Sequence, residues 1–364
     1  MSIPRRKDGG IDWGFNPVTA EETALCMKDA LWRICSGKLY KIIIKGDDGQ
    51  DGLVIPFKPN RAQKRLLARL WHRNVILKAR QLGFTTLICV LWLDTALFNE
   101  NMRCGIIAQD REAAEVIFRD KVKFAYENLP PDLRATMPLA RDSATELLFA
   151  HNNSSIRVAT SMRSGTIHRL HISEFGKICA KYPDKAKEVV TGSIPAVPKS
   201  GILIIESTAE GREGEFYDIT MRAKAAKDTA KELTVRDYRF HFFAWWDANE
   251  YEMPVDSVKL TDKDNAYFAR IEAQIGQPIS LEKRAWYIAT RDADFSGSEE
   301  KMWQEYPSTP EEAFQQSTEG CYYTEQLTKA RKEGRIATVP VVEGVPVNTF
   351  WDIGASDGTA IWFH

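Results

Sequence analysis

The residues with the clearest capacity for chemistry lie in one stretch, Lys78-Ala79-Arg80-Gln81-Leu82-Gly83-Phe84-Thr85-Thr86. The apolar run Val75-Ile76-Leu77 before it reads as a buried strand, and Leu87 to Phe98 after it reads as a helix. A strand, a tight loop holding a glycine, and a helix opening on hydroxyls is the layout of a phosphate-binding loop. Backbone N–H groups and the helix N-terminus then cradle phosphate oxygens. The standard pattern has glycine first, glycine sixth, lysine seventh and Ser/Thr eighth. Gly83 and Thr85 hold the sixth and eighth positions, but lysine stands first, as Lys78, and Phe84 takes the seventh. Thr85 is placed to meet a magnesium ion. Lys78 has a stem long enough to swing toward the β- and γ-phosphates, and Arg80 offers a second cation. The competing reading is an ordinary strand-turn-helix junction with both cations in water.

Further candidates follow along the chain. His168-Arg169-Leu170-His171-Ile172-Ser173-Glu174-Phe175 ends a strand on an acid. A nucleotide hydrolase of this layout needs a carboxylate at a strand tip beside the loop, usually Asp-Glu, one toward magnesium and one orienting water. Here the pair is Ser173-Glu174: Glu174 for the water, Ser173 as a weak metal group acting through water. A charged residue that merely ends a strand is the alternative. Ile202 to Gly211 runs through Glu206-Ser207-Thr208, and its hydroxyls suit a γ-phosphate sensor; the alternative is a cap for a helix over 212–228. Gln63 can read an adenine edge, but with Asn60 it also has capping-box spacing. Arg163 is either a finger on the γ-phosphate or a solvated loop arginine. Near the C-terminus, Asp352 lies within the apolar strand Phe350 to Ile353, where an acid is costly unless paired or bound to metal. Asp357 with Gly358 reads as a turn.

These groups need a scaffold, and the alternation of elements supplies one. Strands are expected at 74–79, 103–108, 146–150, 155–160, 168–173 and 201–206, and helices at 61–72, 86–98, 110–128 and 212–228. Asn152-Asn153 between two apolar runs reads as a hairpin turn. The pattern predicts an α/β fold with a mostly parallel sheet covered by helices. Five segments are expected: a helical preface over 1–53, the phosphate-loop core over 54–235, an aromatic helical lid over 236–319, a linker over 320–345, and a hairpin over 346–364.

Composition narrows the classes. The 49 basic and 50 acidic residues leave a net charge of −1, so a nucleic-acid partner needs a local basic surface. The 6 cysteines are scattered without a C-x-x-C pair, which argues against zinc and a disulfide framework and fits a reducing cytosol. Residues 1–20 lack an apolar run, so no signal peptide is expected. Leu87 to Phe98 contains Asp94 and is too short to span a bilayer.

Taken together, KARQLGFTT, HISEF, ESTAEG, the segment WQEYPSTPEEAF (Trp303 to Phe314) and the hairpin WDIGASDGTAIWF resemble, in order and spacing, the large subunit of a tailed-phage DNA-packaging terminase. The resemblance covers roughly residues 54 to 364. It implies an ASCE-type P-loop ATPase that drives double-stranded DNA into a procapsid, followed by a ribonuclease-H-like endonuclease using Mg2+ or Mn2+. It assigns the phosphates of ATP and Mg2+ to Lys78, Arg80, Gly83, Thr85 and Thr86, and Gln81 of the same loop joins the candidate nucleotide-binding residues. Glu174 becomes the catalytic acid, Ser207 and Thr208 become the coupling segment, and Gln63, Arg163 and Ser173 stay candidates on the readings given above. Asp352 becomes the first nuclease carboxylate. The implied partners are the small terminase subunit, the portal protein and further copies in a ring docked on the procapsid in the host cytoplasm, with no membrane. Two departures stand out: Phe84 in place of the usual lysine, and Ser173 in place of the usual aspartate. The nuclease carboxylates are incomplete, so a fragment without cutting activity is expected. The rivals are a superfamily-two helicase or translocase, and a virion protein that keeps the fold without turnover.

Overall fold

This computed structural model describes residues 4, 12–44, 52–163 and 165–315, and beyond them 329–330, 333–335, 344, 346, 348–352 and 360–363. The chain divides into two compact units, Met1–Gln316 and Ser317–His364.

In the first unit, β1 (Lys41–Ile44) and β2 (Leu53–Pro56) form an antiparallel pair. The polar segment between them, Lys45 to Asp51, lies outside the described residues. The core is an eight-stranded sheet built from β3 (Arg73–Lys78), β4 (Arg103–Ile107), β5 (Leu139–Asp142), β6 (Glu146–Phe149), β7 (Ser155–Ala159), β8 (Arg169–Ser173), β9 (Ile202–Ser207) and β10 (Arg239–Phe243). Their order is β10-β3-β9-β8-β4-β7-β6-β5. Every pairing from β10 through β7 is parallel, and only β7·β6 and β6·β5 are antiparallel. Parallel strands are buried on both faces, which explains their unbroken apolar runs. Ile76 and Ile204 face one core, whereas Val75, Leu77, Leu203 and Ile205 face the other, as the two-residue period of a strand requires.

The sheet differs from the sequence expectation at one edge. Arg239–Phe243, expected to belong to a helical region beginning at 236, is a strand paired in parallel with β3. Its aromatic residues suit a pleated, half-buried surface as well as they suit a helix, so composition did not separate the two. Helices do follow it, at Asp262–Ile275, Leu281–Asp294 and Glu299–Glu305. The helix expected over 110–128 is interrupted by a π-helical segment, Phe118–Lys123. Within the expected helical preface, two helices, Ala20–Lys28 and Ala30–Cys35, meet at Asp29, which ends one and caps the next by accepting from Trp32 N.

The N-terminal helices are pinned to the helix after the phosphate-binding loop, Phe84–Phe98. Arg33 Nε and Nη2 meet Asp94 Oδ1 and Oδ2 at 2.8 and 2.7 Å, and Tyr40 OH donates to the same Oδ1 at 2.8 Å. Such a charge inside the core is tolerable only because both carboxylate oxygens are paired.

In the second unit, β11 (Thr349–Asp352) and β12 (Ala360–Phe363) form an antiparallel hairpin, as the sequence suggested. The side chain of Asp352, and all of Asp357, lie outside the described residues.

Candidate active site

The loops that follow β3, β8 and β9 meet at the C-terminal ends of these three adjacent parallel strands. In open α/β sheets this is where ligand crevices form. Register fixes the neighbours: Leu77 of β3 pairs with Ser207 of β9, and Glu206 of β9 pairs with Ser173 of β8. A cleft of ≈ 460 Å³ opens here. Its walls include the loop from Arg80 to Thr86, together with Lys78, Lys121, Ser173, Glu174, Lys177 and Thr208. Four cations, Lys78, Arg80, Lys121 and Lys177, face one acid, Glu174, on its lining, which favours an anion.

The loop has the shape of an anion cradle. Gly83 sits at φ 71 as the cap of helix Phe84–Phe98. A Cβ there would also lie 2.8 Å from Gln63 Nε2, so glycine answers both a backbone and a space requirement. Gln81 and Glu174, neither of them glycine, hold φ 62 and φ 52. Left-handed backbone costs such residues about 1 kcal/mol or more, and strain of this kind collects at functional sites.

Lys78 is buried at the end of β3, with Nζ 3.1 Å from Glu174 Oε1 and 3.2 Å from Glu206 Oε2. Burial alone would push its pKa down, but Glu206 and Glu174 together hold it above the ordinary lysine value. Arg80 is half-exposed and turns outward, its guanidinium 3.7 Å from Glu305 Oε2. Its N–H donates to Glu305 O at 2.9 Å and its carbonyl accepts from Tyr251 OH, so residues beyond the sheet clamp the loop. Phe84 is buried against Phe243 of β10, ring centroids 4.4 Å apart. The seventh position therefore points into the core, which is why a lysine there would be misplaced.

Glu174 follows β8 directly and lines the cleft, with Lys177 Nζ 3.5 Å from its second oxygen. Thr85 Oγ1 donates to Glu206 Oε1 at 2.8 Å, and Ser173 Oγ donates to the same oxygen at 3.0 Å. Thr86 Oγ1 accepts from Lys121 Nζ at 3.1 Å. Ser207 and Thr208 are buried, with hydroxyls that have no hydrogen-bond partner among the described residues. They do not cap the next helix, which begins at Glu215 behind Gly214. A Cβ on Gly176 would lie 2.8 Å from Ser207 Oγ and 2.8 Å from Thr208 O, so the helix carrying Glu174 at its start rests directly on this segment.

Two expected members stand apart. The Gln63 amide is committed at both ends: Oε1 accepts from Asn60 N at 2.9 Å and Nε2 donates to Gly83 O at 2.7 Å. It is buried, braces the loop from behind and does not line the cleft, so the capping-box alternative describes its position. Arg163 is exposed, pairs with Glu188 at 2.8 Å, and does not line the cleft.

The structure adds residues that the sequence did not single out. Glu206 is fully buried and touches Lys78, Thr85, Ser173 and His171, the last at 3.3 Å. Burial would raise its carboxyl, but Lys78 and the hydrogen bonds from His171 and Thr85 hold it well below the usual range. Its signal was the same one that marks Asp352: an acid within an apolar run needs partners. Lys121 reaches the cleft from the π-helical segment, and such segments recur at functional sites.

Comparison with solved structures gives the fold a counterpart. The large terminase of bacteriophage HK97 aligns with a TM-score of 0.50 at 17% identity, over 77% of this chain and 54% of that one. The chain shares the fold of this large terminase. The large terminase ATPase domain of Thermus phage P74-26 aligns at 17% identity over 69% of this chain and 94% of that one, with a TM-score of 0.47. A DEAD box protein from the hyperthermophile Methanococcus jannaschii is more distant, at 15% identity and a TM-score of 0.34 over 66% of this chain and 72% of that one. No protein-family model matches the sequence. No curated protein matches it significantly. The terminase fold is thus recognised in the backbone at low sequence identity. No helix among the described residues is long and apolar enough to cross a membrane.

Proposed function

We propose that this chain is the ATP-hydrolysing motor of a phage large terminase, moving double-stranded DNA into a procapsid. The observation that carries the reading is the meeting of Lys78, Thr85, Glu174 and Glu206 at the ends of three neighbouring strands, beneath a left-handed glycine loop. The cleft fits a nucleotide phosphate chain in charge and in donors. The N-terminus of helix Phe84–Phe98 opens on it, and four cations line it. Thr85 is the group that would hold Mg2+. The ion, when bound, neutralises charge on the β- and γ-phosphate oxygens.

The roles follow from placement. Lys78 and Arg80 offset phosphate charge, with Gln81, Gly83 and Thr86 shaping the cradle. Glu174 orients the attacking water and takes its proton. The catalysis is positioning and charge stabilisation rather than covalent chemistry. Ser207 and Thr208 relay the state of the γ-phosphate to the helix that rests on them. Arg163 does not line its own cleft, so its finger role is assigned to a neighbouring copy's nucleotide. Such a motor works as a ring on the portal protein, with DNA delivered by the small subunit, in the host cytoplasm. An endonuclease using Mg2+ or Mn2+, with Asp352 as its first carboxylate, belongs to the same proposal.

The test is ATP turnover by the purified chain with and without linear double-stranded DNA. Mg2+-dependent turnover that DNA stimulates supports the motor. Nucleotide binding without turnover would leave the fold and favour a structural virion protein.

A further inference from the structure

The strand tip expected to carry the metal-side aspartate holds Ser173 instead, and its partner across the ladder is Glu206. Glu206 Oε1 is the acceptor for Thr85 Oγ1 at 2.8 Å, for Ser173 Oγ at 3.0 Å and for His171 Nε2 at 3.3 Å. Its other oxygen faces Lys78 Nζ at 3.2 Å. A buried carboxylate needs donors on both oxygens, and two of those on Oε1, Thr85 and Ser173, are themselves residues that line the cleft. A threonine hydroxyl whose proton is held by a carboxylate keeps its oxygen lone pairs for a cation, and Thr85 lines the cleft.

We propose that Glu206, acting through Thr85, is the metal-side carboxylate of this nucleotide site, the acid having moved one strand over from position 173 to position 206. The inference rests on the ATPase reading above. It also explains the serine. Two carboxylates side by side in a site closed to water would repel, and one would be forced neutral. A hydroxyl at 173 beside an acid at 206 keeps a single charge at the Thr85 hydroxyl and satisfies it. Glu206 is thus a positioning residue, and the acid should be movable back to its usual strand.

The experiment measures ADP affinity by calorimetry, with and without Mg2+, for the wild-type chain, Glu206→Gln and Ser173→Asp/Glu206→Gln, each checked for folding by circular dichroism. The wild-type chain should bind ADP more tightly with Mg2+. Glu206→Gln should lose that increment by roughly 10- to 100-fold, the scale of removing a group that orients a metal ligand. Its metal-free affinity should not fall in parallel, because Lys78 loses one competing carboxylate and is freer to meet phosphate. The double variant keeps the same charge and should regain the increment. If Glu206→Gln does not fold, Thr85→Val, which removes the hydroxyl and leaves the buried charges in place, must lose the increment instead. An intact Mg2+ increment in Glu206→Gln or in Thr85→Val, or a folded double variant that recovers none of it, would overturn the proposal. A wild-type chain that binds no nucleotide at all would overturn the ATPase reading and this inference together.

Discussion

Replacing Lys78 with methionine keeps most of the stem and removes only the charge. Lys78 is 5% exposed and Glu206 is 0% exposed, so water cannot replace the lost cation. The Glu206 carboxylate would keep its donors from Thr85, Ser173 and His171 but no nearby lysine. Breaking a buried pair from one side costs about 3–5 kcal/mol. That is a large part of the roughly 5–15 kcal/mol that holds a domain folded. Lys78→Met should therefore lower the urea midpoint strongly, and Glu206→Gln in the same background should recover much of the loss, since both charges are then gone. Turnover at saturating ATP should fall at least ~100-fold, the scale of losing one preorganised charge stabiliser. Arg80→Ala should hurt less, because its half-exposed guanidinium points at Glu305. The assay is urea unfolding and ATP turnover on the two single variants and the Lys78→Met/Glu206→Gln pair. A Lys78→Met chain within about 0.5 kcal/mol of wild type, the scatter of an ordinary surface change, would refute the buried-lysine reasoning.

Other outcomes follow from particular contacts. Phe84→Lys, which restores the usual lysine to the seventh position, should destabilise by at least ~3 kcal/mol and should not rescue Lys78→Met, because residue 84 packs on Phe243; recovered turnover would contradict this. Arg33→Met should cost about 3 kcal/mol by leaving Asp94 buried without its cation, read as a lowered melting temperature. Burial first, and then Arg69, Arg239, Arg65 and Lys227, push His241 down to about 3 from an ordinary 6.5. A depressed folded pKa gives stability that is full above pH ~6.5 and is lost as pH falls toward ~3, at about 1.4 kcal/mol per unit. Between pH 6.5 and 5 this group should thus cost about 2 kcal/mol, and a His241→Gln chain should show a flatter stability profile over that window.

Much of the scaffold could be read in advance because parallel strands buried on both faces leave unbroken apolar runs, as at Val75-Ile76-Leu77 and Ile202 to Ile205. The strand at Arg239–Phe243 could not, since its aromatic residues serve a sheet edge or a helical lid equally well. The π-helical segment at Phe118–Lys123 has no signature in a 3.6-residue pattern, and with it Lys121 was lost from the site. Asn60 and Gln63 did announce their capping box, and the structure uses Gln63 to brace Gly83. Glu206 was legible in principle as an acid closing an apolar run. The hydroxyls of Ser207 and Thr208 beside it carry the more familiar signal of a phosphate sensor. No sequence rule places a carboxylate of β9 on the hydroxyl of Thr85, because that contact follows from strand order, which only the fold decides.

The central claim is that Glu174, directly after β8 and lining the cleft, orients the water in an ATPase site. Glu174→Gln keeps the shape and removes the base, so ATP binding with Mg2+ and single-turnover hydrolysis should be measured side by side on it and on the wild-type chain. The account predicts binding within a few-fold of wild type and hydrolysis slower by roughly two to four orders of magnitude, the span typical of a general base. Hydrolysis by Glu174→Gln at close to the wild-type rate would contradict it.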